Sequence, residues 1–270
     1  MLLIMIKKKI KTKVIALIPA RDGSKSISHK NVQRLGNSPL ISYSINSALN
    51  SKKIDEVYVL TNNTWYADIA RESGAKIPYI RSKETSSDFA SDKDVVKEFM
   101  SHFGIKLDDL SIVFVWLRPT HPFRSEALIN SSIDIFLKAN FCGMRSVSFS
   151  SQTPYKMWTL EENFALRRVV GDKEDDLHNS PRQLLPRVYW QDGFIDLSYP
   201  CDYQTSHCSF HSEKIGGILL DQSENLNIDL DYPEELELAD SKIRNSNSEF
   251  SVSTSYKRLI TGVDDERYGS

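Results

Sequence analysis

Cysteine is scarce in this chain, with three in 270 residues: Cys142, Cys201 and Cys208. So odd and sparse a set argues against a disulfide framework and fits a reducing compartment, so a cytoplasmic location is expected. An excess of charge of either sign is missing as well. With 34 basic against 36 acidic residues the net charge is -2, which leaves no global basic field for nucleic acid or an anionic membrane surface, and neither is expected as a partner. Long hydrophobic runs are absent, so no segment is expected to span a bilayer. The apolar "MLLIMI" at the amino terminus is followed by lysines rather than preceded by them, the reverse of a secretory signal. Neither G-x-x-x-x-G-K-[ST] nor G-x-G-x-x-G occurs. There is no internal repeat.

What is present is a regular alternation of element types. The apolar runs 14–18, 57–61, 76–80 and 112–117 read as buried strands. Between them, 39–51, 64–73, 91–102 and 125–138 carry apolar residues at helical spacing, with Gly74 and Gly104 as stop signals. Such alternation predicts an α/β fold: a mainly parallel sheet covered by helices on both faces, with ligands gathering at the carboxyl ends of its strands. After a strand at 144–149 the rhythm breaks, and 152–186 reads as an excursion from the sheet. Further strands are predicted at 188–197 and 214–220, then a closing helix over 233–243 with Asp231 as its cap. The length and a hydrophobic content of 40% suit one main domain, 14–240, between a tail at 1–13 and a polar tail at 241–270 that reads as mobile.

The first strand runs into "PARDGSKSISHKN", which sets Arg21, Lys25 and Lys30 within ten residues of one another, with Ser24 as a hydroxyl donor and Gly23 permitting close backbone approach. Free N–H groups and cations after a strand suit a polyphosphate. A solvated turn would carry the same lysines. Further along, Asp229 and Asp231 stand at i, i+2 in an extended segment, so both carboxylates share a face while Ile228 and Leu230 take the other. Two hard oxygen ligands beside phosphates are what magnesium takes from a protein. A helix cap at Asp231 and a solvated Asp229 would look the same. His207, Cys208 and His211 lack a fourth ligand at zinc spacing, so a loop with a free thiol is expected there. Trp158, Tyr189 and Trp190 suit stacking on a sugar or base and a subunit contact equally.

Five blocks, in order, resemble the cytidylyltransferases that activate sialic and related nonulosonic acids. They are "IPARDGSKSISHKN" with "LGNSPLISYSI", then "RSKETSSDFASD", "LRPTHPFRS", "SPRQLLPRVYWQDGFID" and "NIDLDYPEELELAD". The resemblance covers most of 14–240. It implies a Rossmann-like three-layer αβα nucleotidyltransferase fold, Mg2+ as cofactor on Asp229 and Asp231, and transfer of CMP from CTP to the anomeric hydroxyl of a 3-deoxy nonulosonic acid, with pyrophosphate leaving. By the same resemblance Arg21, Ser24, Lys25 and Lys30 surround the triphosphate, the three cations serving catalysis. Asn31, Arg81 and Asp88 fall among the nucleotide contacts. Lys156 and Arg182 match the cations for the substrate carboxylate, a role arginine fills with two parallel bonds, and Gln183 falls beside them. The excursion crosses to a neighbouring subunit in that family, which implies a homodimer.

Three departures stand out. Asp22 puts a carboxylate into a phosphate loop, where it repels the ligand unless it points away. Arg118 stands where the family often has glutamine, and Asp192 where it often has asparagine; both are expected near the sugar pocket, compensating one another or reading an additional group on the sugar. His121 reads as a packing or hydrogen-bonding residue. Two other classes share these motifs: a glycosyltransferase that consumes a finished nucleotide sugar, and a catalytically silent sugar-nucleotide binding protein. The intact cationic loop favours the transferase that expels pyrophosphate.

Overall fold

The computed structural model describes residues 12–139, 141–171, 176–203, 215–219 and 229–245. His207, Cys208 and His211, Ile228, the first eleven residues and the tail from 246 lie outside the described residues. In chain order the main elements are β1 (Lys13–Pro19), α1 (Leu40–Asn50), β2 (Glu56–Leu60), α2 (Thr64–Glu72), α3 (Asp92–Phe103), β3 (Ile112–Trp116), α4 (Glu126–Lys138) and β4 (Gly143–Phe149). They continue with β5 (Trp158–Leu160), β6 (Leu166–Arg168), β7 (Tyr189–Ser198), β8 (Ile215–Leu219) and α5 (Pro233–Asn245).

Six strands form one sheet in the order β8-β4-β7-β3-β1-β2. β1 pairs in parallel with both β2 and β3, β8 pairs in parallel with β4, and β7 alone runs against its neighbours. The pleat explains the layers. In β1, Val14, Ala16 and Ile18 face a cluster built with Ile41 and Ile45 of α1, Ile69 of α2 and Ile133 of α4. Ile15 and Leu17, one residue out of phase, pack on the other face with Val96 and Phe99 of α3 and Phe114. Helices therefore cover both faces of a mainly parallel sheet, as the alternation predicts. A smaller cluster, with Leu35, Leu40, Phe123, Leu230 and Ala239, docks α5 beside the domain's opening loop.

Local signals place the helix starts. Ser91 and Asp94 form a reciprocal capping box at α3, and the Ser125 hydroxyl accepts from Leu128 N–H at α4. Gly74 and Gly104 follow α2 and α3 with φ of 93° and 65°, the left-handed conformation glycine adopts cheaply. One expected strand is corrected: 76–80 makes only isolated bridges, Tyr58 to Lys76 and Thr61 to Ile80. Pro78 sits in its middle and has no N–H to give a ladder. The excursion holds the small hairpin β5–β6 and two 3-10 turns, Pro154–Lys156 and Arg182–Leu184.

Candidate functional site

β1 connects onward to β2 on one side and lies against β3 on the other, so the loop leaving β1 opens onto a crevice at the carboxyl edge of the sheet. A cleft of about 660 Å³ lies there. Its walls are the loop after β1 (Arg21, Ser24, Lys25, Lys30, Asn31), the segment around Arg81, Asp88 and Asp92, the loop after β3 (Arg118, Thr120), and Asp229 with Asp231. Residues from four distant stretches thus converge on one space.

The cations in it are held by carboxylates. Asp88 accepts from Arg21 Nη1 at 2.7 Å through one oxygen and pairs with Lys25 Nζ at 2.7 Å through the other. Hydrogen bonds from Lys25 and then Arg21 keep the Asp88 carboxyl below its usual range. Lys30, its side chain only 15% exposed, donates to Asp231 at 2.7 Å. An anionic ligand that uses Arg21 and Lys25 competes with Asp88 for them. Asn31 is buried and donates its amide to the Arg21 carbonyl at 2.9 Å, bracing the loop from within. Arg81 is buried too and donates to the Thr85 carbonyl. Desolvation there lowers its pKa.

Asp229 and Asp231 project into the same cleft. Leu230, between them, is fully buried and its N–H donates to the Thr120 carbonyl at 3.0 Å, which fixes the alternation of faces. The Asp229 carboxyl is raised by burial and, secondarily, by the negative charges of Asp231 and Glu235, against the pull of Thr120 and Lys30. Its Oδ1 is buried without a hydrogen-bond partner. An orphaned carboxylate oxygen beside a second carboxylate fits a divalent cation completed by phosphate oxygens and water. No cluster of three or more His, Cys, Asp or Glu suited to a metal occurs among the described residues. Asp231 was expected to cap α5, but its carboxylate meets Lys30, while Glu235 closes the helix entrance by accepting from the Asp231 and Tyr232 N–H groups at 2.6 and 2.8 Å.

Arg118 lines the cleft, but Asp192 is not its partner. Its guanidinium joins Asp92 on one side and Asp196 at 2.9 Å on the other, and also donates to the Gly193 carbonyl at 3.2 Å. Asp192, on the interior strand β7, is 1% exposed and accepts from the Ser146 and Ser148 hydroxyls and the Phe194 N–H. That burial removes it from the pocket wall. Lys156, Arg182 and Gln183 are likewise absent from the cleft lining. Arg182 and Gln183 are exposed on the excursion, where Arg182 reaches Gln152 at 3.4 Å. His121 is buried against Phe194, with Nδ1 3.2 Å from the Thr120 hydroxyl. Burial, followed by Arg124 and Arg118, pushes its pKa down to about 3, so the ring is neutral.

Some residues of the site escape sequence reasoning. Asp92 and Asp196 stand inside the matching blocks without any local mark of their ion pairs. Arg124, fully buried, ties the loop after β3 to the rest by donating to the Phe194 and Arg118 carbonyls at 2.7 and 3.1 Å. Its signal, an arginine just before a helix cap, is indistinguishable from a surface cation.

A mainly parallel α/β sheet thus sets its first loop and the paired aspartates around one cleft. A family model described as cytidylyltransferase matches residues 15–171, and the chain belongs to that family. It is 29% identical to the CMP-N,N'-diacetyllegionaminic acid synthase of Legionella pneumophila, over 80% of this chain and 91% of that protein. With an N-acylneuraminate cytidylyltransferase of Streptococcus agalactiae it shares 30% identity over 69% of this chain, and there it spans 43% of the relative's length. A pseudaminic acid cytidylyltransferase of Campylobacter jejuni is 45% identical over 32% of this chain and 37% of that protein. Among solved structures, a CMP:2-keto-3-deoxy-manno-octonic acid synthetase complexed with CTP shares the fold, with a TM-score of 0.60 at 15% identity, covering 86% of this chain and 99% of that one.

Proposed function

We propose that the protein transfers CMP from CTP to the anomeric hydroxyl of a sialic-acid-like 3-deoxy nonulosonic acid, giving a CMP-sugar and pyrophosphate, with Mg2+ as cofactor. The observation that carries this reading is the meeting of Arg21, Lys25 and Lys30 with Asp229 and Asp231 in one cleft. The relatives named for legionaminic, N-acylneuraminic and pseudaminic acids support the substrate class. In the reaction the sugar's anomeric oxygen bonds to the α-phosphorus, the bond from that phosphorus to the bridging oxygen breaks, and the hydroxyl proton is released. Arg21 and Lys25, freed from Asp88, offset the charge that builds on the departing pyrophosphate. Lys30 adds a third positive charge from the floor of the site. A divalent ion held by Asp229 and Asp231 would supply further charge neutralisation at the phosphate oxygens.

The excursion supports a homodimer. Leu160, Phe164, Leu166 and Leu184 are 66%, 83%, 58% and 77% exposed, apolar surface that a partner subunit would cover. Docked on a partner, the arm would carry Lys156, Arg182 and Gln183 toward the partner's cleft, where they bind the sugar carboxylate. The test is pyrophosphate release with CTP, ATP, GTP or UTP against a panel of sialic, legionaminic, pseudaminic and octulosonic acids. CTP with a nonulosonic acid should far exceed every other combination. Equal use of another nucleotide, or no release with any acid, overturns the reading.

A further inference from the structure

Asp22 is the one carboxylate in the loop after β1, and the structure turns it away from the cleft that its neighbours Arg21, Ser24 and Lys25 line. It points into the start of α2. Its Oδ2 accepts from Asn63 Nδ2 at 2.7 Å, and its Oδ1 accepts from its neighbour Gly23 N–H at 2.8 Å and from the Tyr66 hydroxyl at 3.1 Å. His29 Nδ1 lies 3.3 Å from the same oxygen and 3.1 Å from the Tyr66 hydroxyl. The Asp22 N–H donates to Asn62 Oδ1 at 2.8 Å. Both ends of the loop, residues 22 and 29, are therefore fastened to one point. Asn63 is doubly committed, because its Oδ1 also caps α2 by accepting from Trp65 and Tyr66 N–H. Gly23, with φ of 91°, turns the chain immediately after the clasp.

We propose that Asp22 is the positioning residue of the phosphate loop: its carboxylate clasps the loop to the first turn of α2 and so sets where Arg21, Ser24 and Lys25 meet the phosphates. The inference rests on the proposed nucleotide reading of the cleft. It reverses the sign expected from charge alone. A carboxylate in a phosphate loop repels the ligand, so its removal should tighten anion binding if electrostatics decide; if the clasp decides, removal loosens the loop and weakens binding. Misplacing charged groups by about 1 Å is enough to cost a hundredfold in rate.

Four variants separate these outcomes. Asp22→Ala deletes the acceptor, and Asp22→Asn turns one acceptor oxygen into a donor facing Asn63 or Gly23. Asn63→Ser keeps a cap for α2 and loses the amide donor. Tyr66→Phe removes only the hydroxyl. Inorganic pyrophosphate binding, measured by calorimetry on each variant, needs neither sugar nor turnover, so it judges the clasp even if the proposed reaction is wrong. Asp22→Ala and Asp22→Asn should weaken pyrophosphate binding about tenfold, with Asn63→Ser and Tyr66→Phe weaker in the same direction, and Asp22→Ala with Asn63→Ser should cost no more than Asp22→Ala alone. In turnover, kcat/KM for CTP should fall at least as far while the KM for the sugar acid holds. Unchanged or tighter pyrophosphate binding in Asp22→Asn overturns the proposal, as does an equal rise in both substrates' KM with a matching loss of Tm. Wild-type protein that binds pyrophosphate but turns over no CTP would instead refute the nucleotide reading and leave the clasp to be judged on binding.

Discussion

Asp229 and Asp231 differ in surroundings although they are two residues apart: one has a buried oxygen without a hydrogen-bond partner, 3.8 Å from His121 Nδ1, and the other is exposed and paired with Lys30. Replacing either with alanine should abolish most turnover while leaving the unfolding transition near that of the wild type, and added Mg2+ should no longer raise the rate. Near-normal rates in both would return the pair to solvation and to pairing with Lys30. His121 offers a stability test. Its imidazole is neutral in the fold down to about pH 3, whereas the unfolded chain takes up that proton near 6.5. A depressed folded pKa means the stabilisation is complete above about 6.5 and is lost progressively as pH falls toward 3. His121→Gln should therefore flatten the acid limb of unfolding free energy against pH, and an unchanged slope would show that the folded ring titrates normally. For Arg118, replacement by glutamine takes the 2.9 Å partner from the nearly buried Asp196 and leaves it the more distant Arg145, at 3.9 Å. Denaturant titration should show a loss of about 1–3 kcal/mol, and the sugar-acid preference should shift with CTP affinity unchanged.

At the scale of elements, the connection that matters most is the one between β2 and α2, because it receives the loop after β1. Gly74 ends α2 with φ of 93°, and a Cβ built there comes within 3.0 Å of Leu49 Cδ1 on α1. Gly74→Ala should cost about 1 kcal/mol or more through both strain and crowding, read as a lowered denaturation midpoint with the denaturant slope unchanged. The β5–β6 hairpin should be far more tolerant. It makes its own ladder, from Trp158 opposite Arg168 to Leu160 opposite Leu166, and exposes both leucines. Replacing Leu160 and Leu166 with serine should leave chain stability little changed but shift sedimentation toward monomer and lower activity at dilute protein. A dimer that persists would remove the hairpin from the subunit contact.

For the whole molecule the question is whether one chain holds a complete site. Lys25 lines the cleft, whereas Arg182 stands outside it on the arm. Lys25→Ala and Arg182→Ala proteins should each be nearly inactive. Mixed and allowed to exchange subunits, they should regain activity, because one site of each heterodimer draws an intact loop from one chain and an intact Arg182 from the other, so about half of its sites work. Verified exchange without recovery would assign both residues to the same chain's site. No helix among the described residues is long and apolar enough to cross a membrane.

Periodicity alone determined the alternation of strands and helices, the loop after β1, and the shared face of Asp229 and Asp231, because each depends on backbone geometry repeated over a few residues. Helix stops at Gly74 and Gly104 were legible for the same reason. Lys76 to Ile80 misled, since hydrophobic content does not reveal that Pro78 withholds a ladder hydrogen bond at the sheet edge beside β2. Partners far apart in the chain were a matter for the tertiary structure. Arg118 meets Asp92 and Asp196, at separations of 26 and 78 residues, rather than Asp192, because β7 inserts between β3 and β4 and is irregular between the two aspartates: the ladder to β4 shifts register between Arg145 and Val147, Gly193 turns with φ of 73°, and Asp192 meets Ser146 and Ser148. Asp22 faces away from the cleft because parallel pairing of β1 with β2 lays their carboxyl ends side by side, and Asn62 and Asn63 are there to receive it.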